Sequence, residues 1–153
     1  MRKNGNRSLS WLNKQNRISV DNKIKDVDNP IRGIYGIFVK DKNEEEKCVY
    51  VGKAFSLYDR MFGSTGHIPK LKKNIHTNKQ LQDAVNVGKE IEIKILEEVP
   101  FEFDNYYRDM QRLASKENKY IDQYQKINQC LEQVPEGTKT NEEEWERLKE
   151  KSK

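Results

Sequence analysis

The sequence predicts a small α/β domain, a three-stranded antiparallel sheet flanked by helices, and three observations carry that expectation. Two short runs dense in β-branched and aromatic residues, 31–39 and 48–52, are separated by one polar loop, as in a hairpin. A third run, in which Ile91, Ile93 and Ile95 alternate with Glu92 and Lys94, has the period of a strand with one buried face. Segments of helical period lie between and after these runs, so the order reads β–β–α–α–β–α, a sheet with helices packed on it around one core.

Each element has its own local signal. Residues 1–30 are rich in Asn, Lys, Arg and Ser with scattered apolar positions, and read as a basic N-terminal extension ending at Asn29-Pro30. The first strand, IRGIYGIFV, is followed by the polar loop 40–47 and the second strand. Ser56, with Asp59 three residues on, has the spacing of a capping box and predicts a short helix over 57–62 ended by Gly63. Residues 70–73 read as a basic loop. Thr77 or Asn78 starts a second helix through Leu81, Ala84 and Val85, stopped at Gly88. The longest periodic segment runs from Tyr106 to about Ile127, where Tyr106, Met110, Leu113, Tyr120, Ile121 and Tyr124 recur at spacings of three and four. The domain is thus expected over 31–131, with 132–153 as an acidic C-terminal tail carrying Trp145.

Composition bounds the function classes. The chain has 153 residues, of which 34% are hydrophobic and 35% charged, with a mean hydropathy of -1.06; one domain with a modest core is expected. No apolar run is long enough for a helical membrane span, and no apolar stretch follows the basic N-terminus, so no membrane association is foreseen and a cytoplasmic location is the expectation. Cys48 and Cys130 lack metal-ligand spacing and read as reduced structural thiols. The net charge is only +4, but it is unevenly spread. Residues 1–30 carry seven basic and three acidic side chains and residues 53–89 seven and two, whereas from 90 onward there are eleven and sixteen. A one-sided positive surface suits a polyanion.

Three features point to chemistry. Tyr35 and Tyr50 lie on adjacent strands, each beside glycine (Gly33 and Gly36; Gly52), and glycine in a strand marks close approach of another group. Strand tyrosines otherwise serve core packing. Glu117 falls four residues after Leu113 and three and four before Tyr120 and Ile121, within the apolar stripe of its helix. A carboxylate there costs free energy unless it is paired, hydrogen-bonded or metal-bound. Arg60, on the short capped helix, can pair with Glu117 or hold a phosphate with its planar fork of donors.

In order and spacing, Gly33-Ile34-Tyr35, Tyr50-Val51-Gly52, Arg60, Glu117 and Asn128 resemble the signature of the GIY-YIG endonuclease family. Lys53-Ala54 with Arg60 seven residues beyond Lys53 resembles the incision subunit of bacterial nucleotide excision repair. The stretch from Asn78-Lys79-Gln80-Leu81-Gln82 to Ile93-Lys94-Ile95-Leu96-Glu97 resembles phage and intron-encoded members. The resemblance spans roughly residues 31–131.

What the resemblance implies is a DNA phosphodiesterase dependent on Mg²⁺ or Mn²⁺. Tyr35 would act on the attacking water, although a free phenol titrates near about 10 and needs neighbouring positive charge to do so. Glu117 would be the one protein carboxylate on the metal, Arg60 and Tyr50 would hold the scissile phosphate, Lys53 would assist, and Asn128 would orient the site or the helix end. The chain departs from the family four residues after the arginine, where Ser64 replaces the usual His or Tyr, which leaves His67, Lys53 or Tyr58 to assist Tyr35. Lys70, Lys72, Lys73 and Lys79, with the arm residues Arg2, Lys3, Arg7, Lys14 and Arg17, are the candidate DNA contacts, of a kind that supplies affinity more than specificity. Double-strand cleavage would call for a homodimer. The competing reading is a nucleic-acid-binding module of the same fold that does not cleave; a structural domain of a larger assembly is a third, and it leaves Glu117 unexplained.

Overall fold

A computed structural model describes residues 9–12, 17–133 and 140–152. The strands are β1 (Ile18–Val20), β2 (Gly33–Lys40), β3 (Lys47–Ala54) and β4 (Glu90–Glu98). The helices are α1 (Asn22–Lys25), α2 (Leu57–Phe62), α3 (His67–Lys72), α4 (Lys79–Asn86), α5 (Tyr106–Gln125) and α6 (Glu142–Lys151). The arm residues Arg2, Lys3, Arg7 and Lys14 lie outside the described residues, as does the stretch 134–139 of the tail.

The α/β class holds, but the sheet has four strands in the order β1-β4-β2-β3 and is mixed, which corrects the expectation of three antiparallel strands. β2 pairs antiparallel with both β3 and β4, while β1 runs parallel to β4. A three-residue strand is too short to display a period, so Ile18-Ser19-Val20 carried no strand signal; the free edge of β4 supplies what the local sequence lacks. Ile91 N–H donates to the Arg17 carbonyl at 2.7 Å and Asp21 N–H to the Ile93 carbonyl at 3.0 Å. Asp21 then caps α1, which buries Ile24. Residues 18–25 therefore belong to the sheet and its core.

Helices cover both faces. One face packs Tyr35, Ile37, Ile91 and Ile93 against Leu57, Met61, Phe62, Ile68 and Leu81 from α2, α3 and α4. The other packs Ile34, Phe38, Cys48 and Val51 against Leu113 and Ile121 of α5. The caps at Ser56, Asn78 and Asn105 all form, each side chain accepting the backbone N–H of the third residue of its helix. The stretch read as a basic loop holds the C-terminal half of α3, whose Ile68 and Leu71 face the core.

β3 is an edge strand, and the segment after α5 seals most of it. Gln129 accepts from Cys48 N–H at 2.7 Å, Cys130 N–H donates to the Cys48 carbonyl at 3.1 Å, and Gln133 bonds both Val51 N–H and the Val51 carbonyl. Side-chain amides thus replace a missing strand on an edge that would otherwise pair indiscriminately. α6 has no buried residue, and no helix of the described residues is long and apolar enough to cross a membrane.

Because Ile24 is 1% exposed, Ile24→Ala should cost about 2–4 kcal/mol of stability, read from urea unfolding. A cost below about 0.5 kcal/mol would mean that this N-terminal segment is an appendage to the domain.

Candidate functional site

The hairpin places both tyrosines. Tyr35 stands opposite Gly52 and Ile37 opposite Tyr50, so the two phenols share one face of the sheet. Their ring centroids are 6.0 Å apart with planes 24° from parallel. Gly52 is required here, since a Cβ at that position would lie 2.3 Å from the Tyr35 hydroxyl. The register skips Val49 between the Ile37–Tyr50 and Phe38–Cys48 pairs, a bulge that keeps Phe38 and Cys48 on the α5 face while Tyr50 stays on the Tyr35 face.

Arg60 enters from α2 and ties the phenols together: Nε donates to the Tyr35 hydroxyl at 3.1 Å and Nη2 to the Tyr50 hydroxyl at 3.3 Å. Burial opposes its charge, but the two phenol oxygens outweigh that and hold its pKa above the ordinary arginine value. Behind Tyr35 stand the chain's two histidines. His67 Nε2 lies 2.6 Å from the Tyr35 hydroxyl, and His67 Nδ1 lies 2.7 Å from His76 Nε2. The Asn78 backbone N–H donates to His76 Nδ1 at 3.0 Å.

That last bond sets every proton in the row. A backbone N–H can only donate, so His76 Nδ1 accepts, its Nε2 carries the hydrogen and donates to His67 Nδ1, and His67 Nε2–H donates to Tyr35. Both imidazoles are neutral in this arrangement. Burial, and the positive charge of Arg60 and Lys70, push His76 down to about 4; burial, His76, Arg60 and Lys70 push His67 well below its ordinary value. Tyr35 is fully buried, and burial with the neighbouring Tyr50 raises its pKa well above that of a free phenol, against the opposing pull of Arg60.

On the other side of β3, Lys53 points to the α5 face, opposite in the strand alternation to Tyr50. Its Nζ lies 3.2 Å from Glu117 Oε1, the two side chains being 16% and 12% exposed. The carboxylate in the apolar stripe is thus half in the core and ion-paired. Beyond the sealed part of β3, the two sides meet in a cavity of about 700 Å³ lined by Tyr50, Lys53, Arg60 and Glu117, together with Asp59, Glu132 and Gln133.

Four sequence-predicted residues therefore converge: Tyr50, Lys53, Arg60 and Glu117. Tyr35 and His67 lie one layer behind them, bonded to each other, and Tyr35 also accepts from Arg60. Tyr58 is elsewhere, buried in the core with its ring 5.1 Å from Phe62. Asn128 is exposed and takes a positive φ of 63° just after α5, where it turns the chain toward the Gln129–Gln133 seal. Lys70 and Lys72 ride on α3, Lys73 caps it, and Lys79 opens α4; Lys72, Lys73 and Lys79 are exposed. The loop acid Glu46 pairs with Lys94 and does not line the cavity. His76, Glu132 and the two glutamines gave no motif signal. The one available hint for His76 was that it is the only histidine besides His67.

Among the described residues no group of three or more His, Cys, Asp or Glu side chains is placed to hold a metal. Glu117 with water and phosphate oxygens is a donor set that fits Mg²⁺, which keeps most of its hydration shell; a cation there would share the carboxylate with Lys53.

The histidine pair makes stability depend on pH. In the unfolded chain both rings take up protons as the pH falls through 6.5, whereas in the folded protein His76 does so only near 4. Stability is therefore full above that window and falls across it, His76 alone accounting for roughly 3 kcal/mol. Urea midpoints at about pH 7.5 and about pH 5 should differ more for the parent than for His76→Gln, and equal differences would refute the assignment.

Comparison with protein-family models, with curated proteins and with solved structures returned no match.

Proposed function

We propose that the protein is a metal-dependent DNA endonuclease of the GIY-YIG type. The observation that carries this reading is the convergence of Tyr50 and Lys53 from β3, Arg60 from α2 and Glu117 from α5 on one cavity. These side chains come from three elements and from both faces of the sheet, and core packing gives no reason for them to meet. Their chemistry is that of phosphodiester hydrolysis. Arg60 offers a phosphate the donors it does not spend on the tyrosines and holds the Tyr50 hydroxyl, and Lys53 adds a second positive charge. Glu117 would hold Mg²⁺ or Mn²⁺, which when bound neutralises charge developing on the leaving oxygen.

The geometry shifts the weight between the two tyrosines. With its hydroxyl buried and its pKa raised, Tyr35 acts through Arg60 and Tyr50 as a positioning residue, and Tyr50 is the phenol that faces the phosphate. His67 and His76 keep a donor aimed at Tyr35, which fixes the Arg60 fork from behind. Lys70, Lys72, Lys73 and Lys79 would extend the positive surface along the DNA backbone. Asn128 sets the helix end.

A second reading, a DNA-binding module that does not cleave, draws on one specific observation: Lys53 already neutralises Glu117 at 3.2 Å. Supercoiled plasmid with Mg²⁺ or Mn²⁺ separates the two. The parent should nick it, and Glu117→Ala and Arg60→Ala should each lower the rate by about 100-fold or more. Salt-sensitive binding without nicking under either metal would reject the nuclease in favour of the binding module.

A further inference from the structure

Past Phe55 the cavity wall continues into a second hollow of about 260 Å³, lined by Phe55, Phe101, Phe103 and Tyr106 with Asp104 and Asn105. Phe55 lines both hollows. These rings are not core: Phe55 is 53% exposed, Phe101 68% and Tyr106 70%. Large aromatic side chains clustered in solvent mark a surface that something covers.

What covers it can be read from its chemistry. Phe55 and Phe101 meet edge to face, centroids 5.7 Å apart and planes at 82°. The guanidinium of Arg32 lies 4.7 Å from the first ring and 4.0 Å from the second. Arg32 is buried, its Nη2 held by both oxygens of Asp109 at 2.8 Å, while its Nε and Nη1 have no hydrogen-bond partner. Arg108 stacks 3.8 Å over Phe103. Ion pairs cancel the charge of Arg32 against Asp109 at 2.8 Å and of Arg112 against Glu102 at 3.0 Å, while Asp104 of the lining and Arg108 carry opposite signs. A neutral patch has no general attraction for phosphate. It offers flat π faces with guanidinium planes behind them, which match the faces of a nucleobase.

We propose that this patch is a stacking platform for an unpaired base of the strand whose phosphate occupies the Arg60–Glu117 cleft. The preferred substrate would then carry a single-stranded or unstacked segment beside the scissile bond. The inference rests on the nuclease reading, because it takes continuity through Phe55 as continuity along one strand. Phe101 and Tyr106 belong to neither core cluster and do not line the cleft, so replacing them leaves the candidate catalytic groups in place.

The test uses the full chain without metal and a DNA single strand carrying 2-aminopurine, beside the matching duplex. Binding should quench the probe in the single strand. The double variant Phe101→Ala, Tyr106→Ala should weaken single-strand binding by roughly 5- to 150-fold. Its duplex affinity and the slope of log K against log salt should stay unchanged. Equal losses on both DNAs, or no loss on either, would overturn the platform, the second result assigning the patch to a protein partner. Plasmid nicking by the same variant keeps the two readings apart. Nicking without a single-strand preference rejects the platform alone, whereas a variant-sensitive single-strand preference without nicking by the parent rejects the nuclease alone.

A separate observation carries a second inference. Cys48 Sγ and Cys130 Sγ lie 3.2 Å apart, both buried, with their backbones already hydrogen-bonded. We infer that a mild disulfide oxidant joins them, stapling the segment after α5 to β3. In exchange with oxidised glutathione the two thiols lose two protons and two electrons and form one S–S bond; the glutathione disulfide gains them and leaves as two thiols. After equilibration, the protein should have no free thiol when denatured, a mass lower by two hydrogens, and a thermal midpoint raised by roughly 5–10 °C. Cys130→Ser should abolish all three changes. Glutathione adducts without an internal bridge, or two thiols still free, would overturn the inference.

Discussion

A single backbone N–H, that of Asn78, gives the interior of the candidate site its polarity. Because it can only donate, it forces a lone pair on His76, a hydrogen on the far nitrogen of that ring, and the same order in His67. Tyr35 then receives donors from both His67 and Arg60, and the guanidinium is held at one angle. Asn78 has two further duties: its Oδ1 caps α4 through Leu81 N–H, and its Nδ2 donates to the Val49 carbonyl at the β3 bulge, each at 3.0 Å. One residue thus joins a helix start, a strand irregularity and a proton-ordered row, so the site cannot loosen without loosening the fold around it.

The second constraint is that β3 is an edge strand. Residues on one strand alternate between faces, so Tyr50 and Lys53 must point to opposite sides of the sheet. They can serve one cavity only where the sheet ends. The Gln129–Gln133 segment covers β3 at Cys48 and Val51 and leaves its C-terminal end open. Protection of the edge against stray pairing and exposure of the cavity are therefore two results of where one segment stops. Lys53 and Glu117, drawn from the α5 side, meet Tyr50 and Arg60, drawn from the α2 side, around that open end.

Burial decides the protonation of the inner layer. Desolvation disfavours the charged form of each group, which keeps Tyr35 a phenol and both histidines neutral, while the guanidinium of Arg60 keeps its charge through the phenol oxygens around it. The outer layer, Lys53 and Glu117, remains an ion pair at the cavity wall. Neutral Tyr35, His67 and His76 thus stand behind three charged groups, Arg60, Lys53 and Glu117, that line the cavity.

The α/β class, the hairpin, two helix caps and the long amphipathic helix were all legible, since each rests on contacts within a few residues: Ser56 and Asn78 cap their own helices. Tyr50, Lys53, Arg60 and Glu117, which line one cavity, were likewise legible as candidate site residues, Glu117 because a carboxylate in an apolar stripe is anomalous wherever the helix docks. The fourth strand was not, because three residues carry no period and β1 exists only against the edge of β4. Nor were the burial of Tyr35, the His67–His76 row, the glutamine seal or the packing of Tyr58, since each depends on groups far apart in the chain: His76 reaches Tyr35 through His67, and Gln133 reaches Val51 across 82 positions. The sequence by itself determined which local elements form and which charged and hydroxyl-bearing side chains are available to the cavity. The tertiary structure alone decided which hydroxyl is buried, which way each imidazole proton points and where the two faces of the sheet meet, because burial and hydrogen-bond direction are properties of the packed chain.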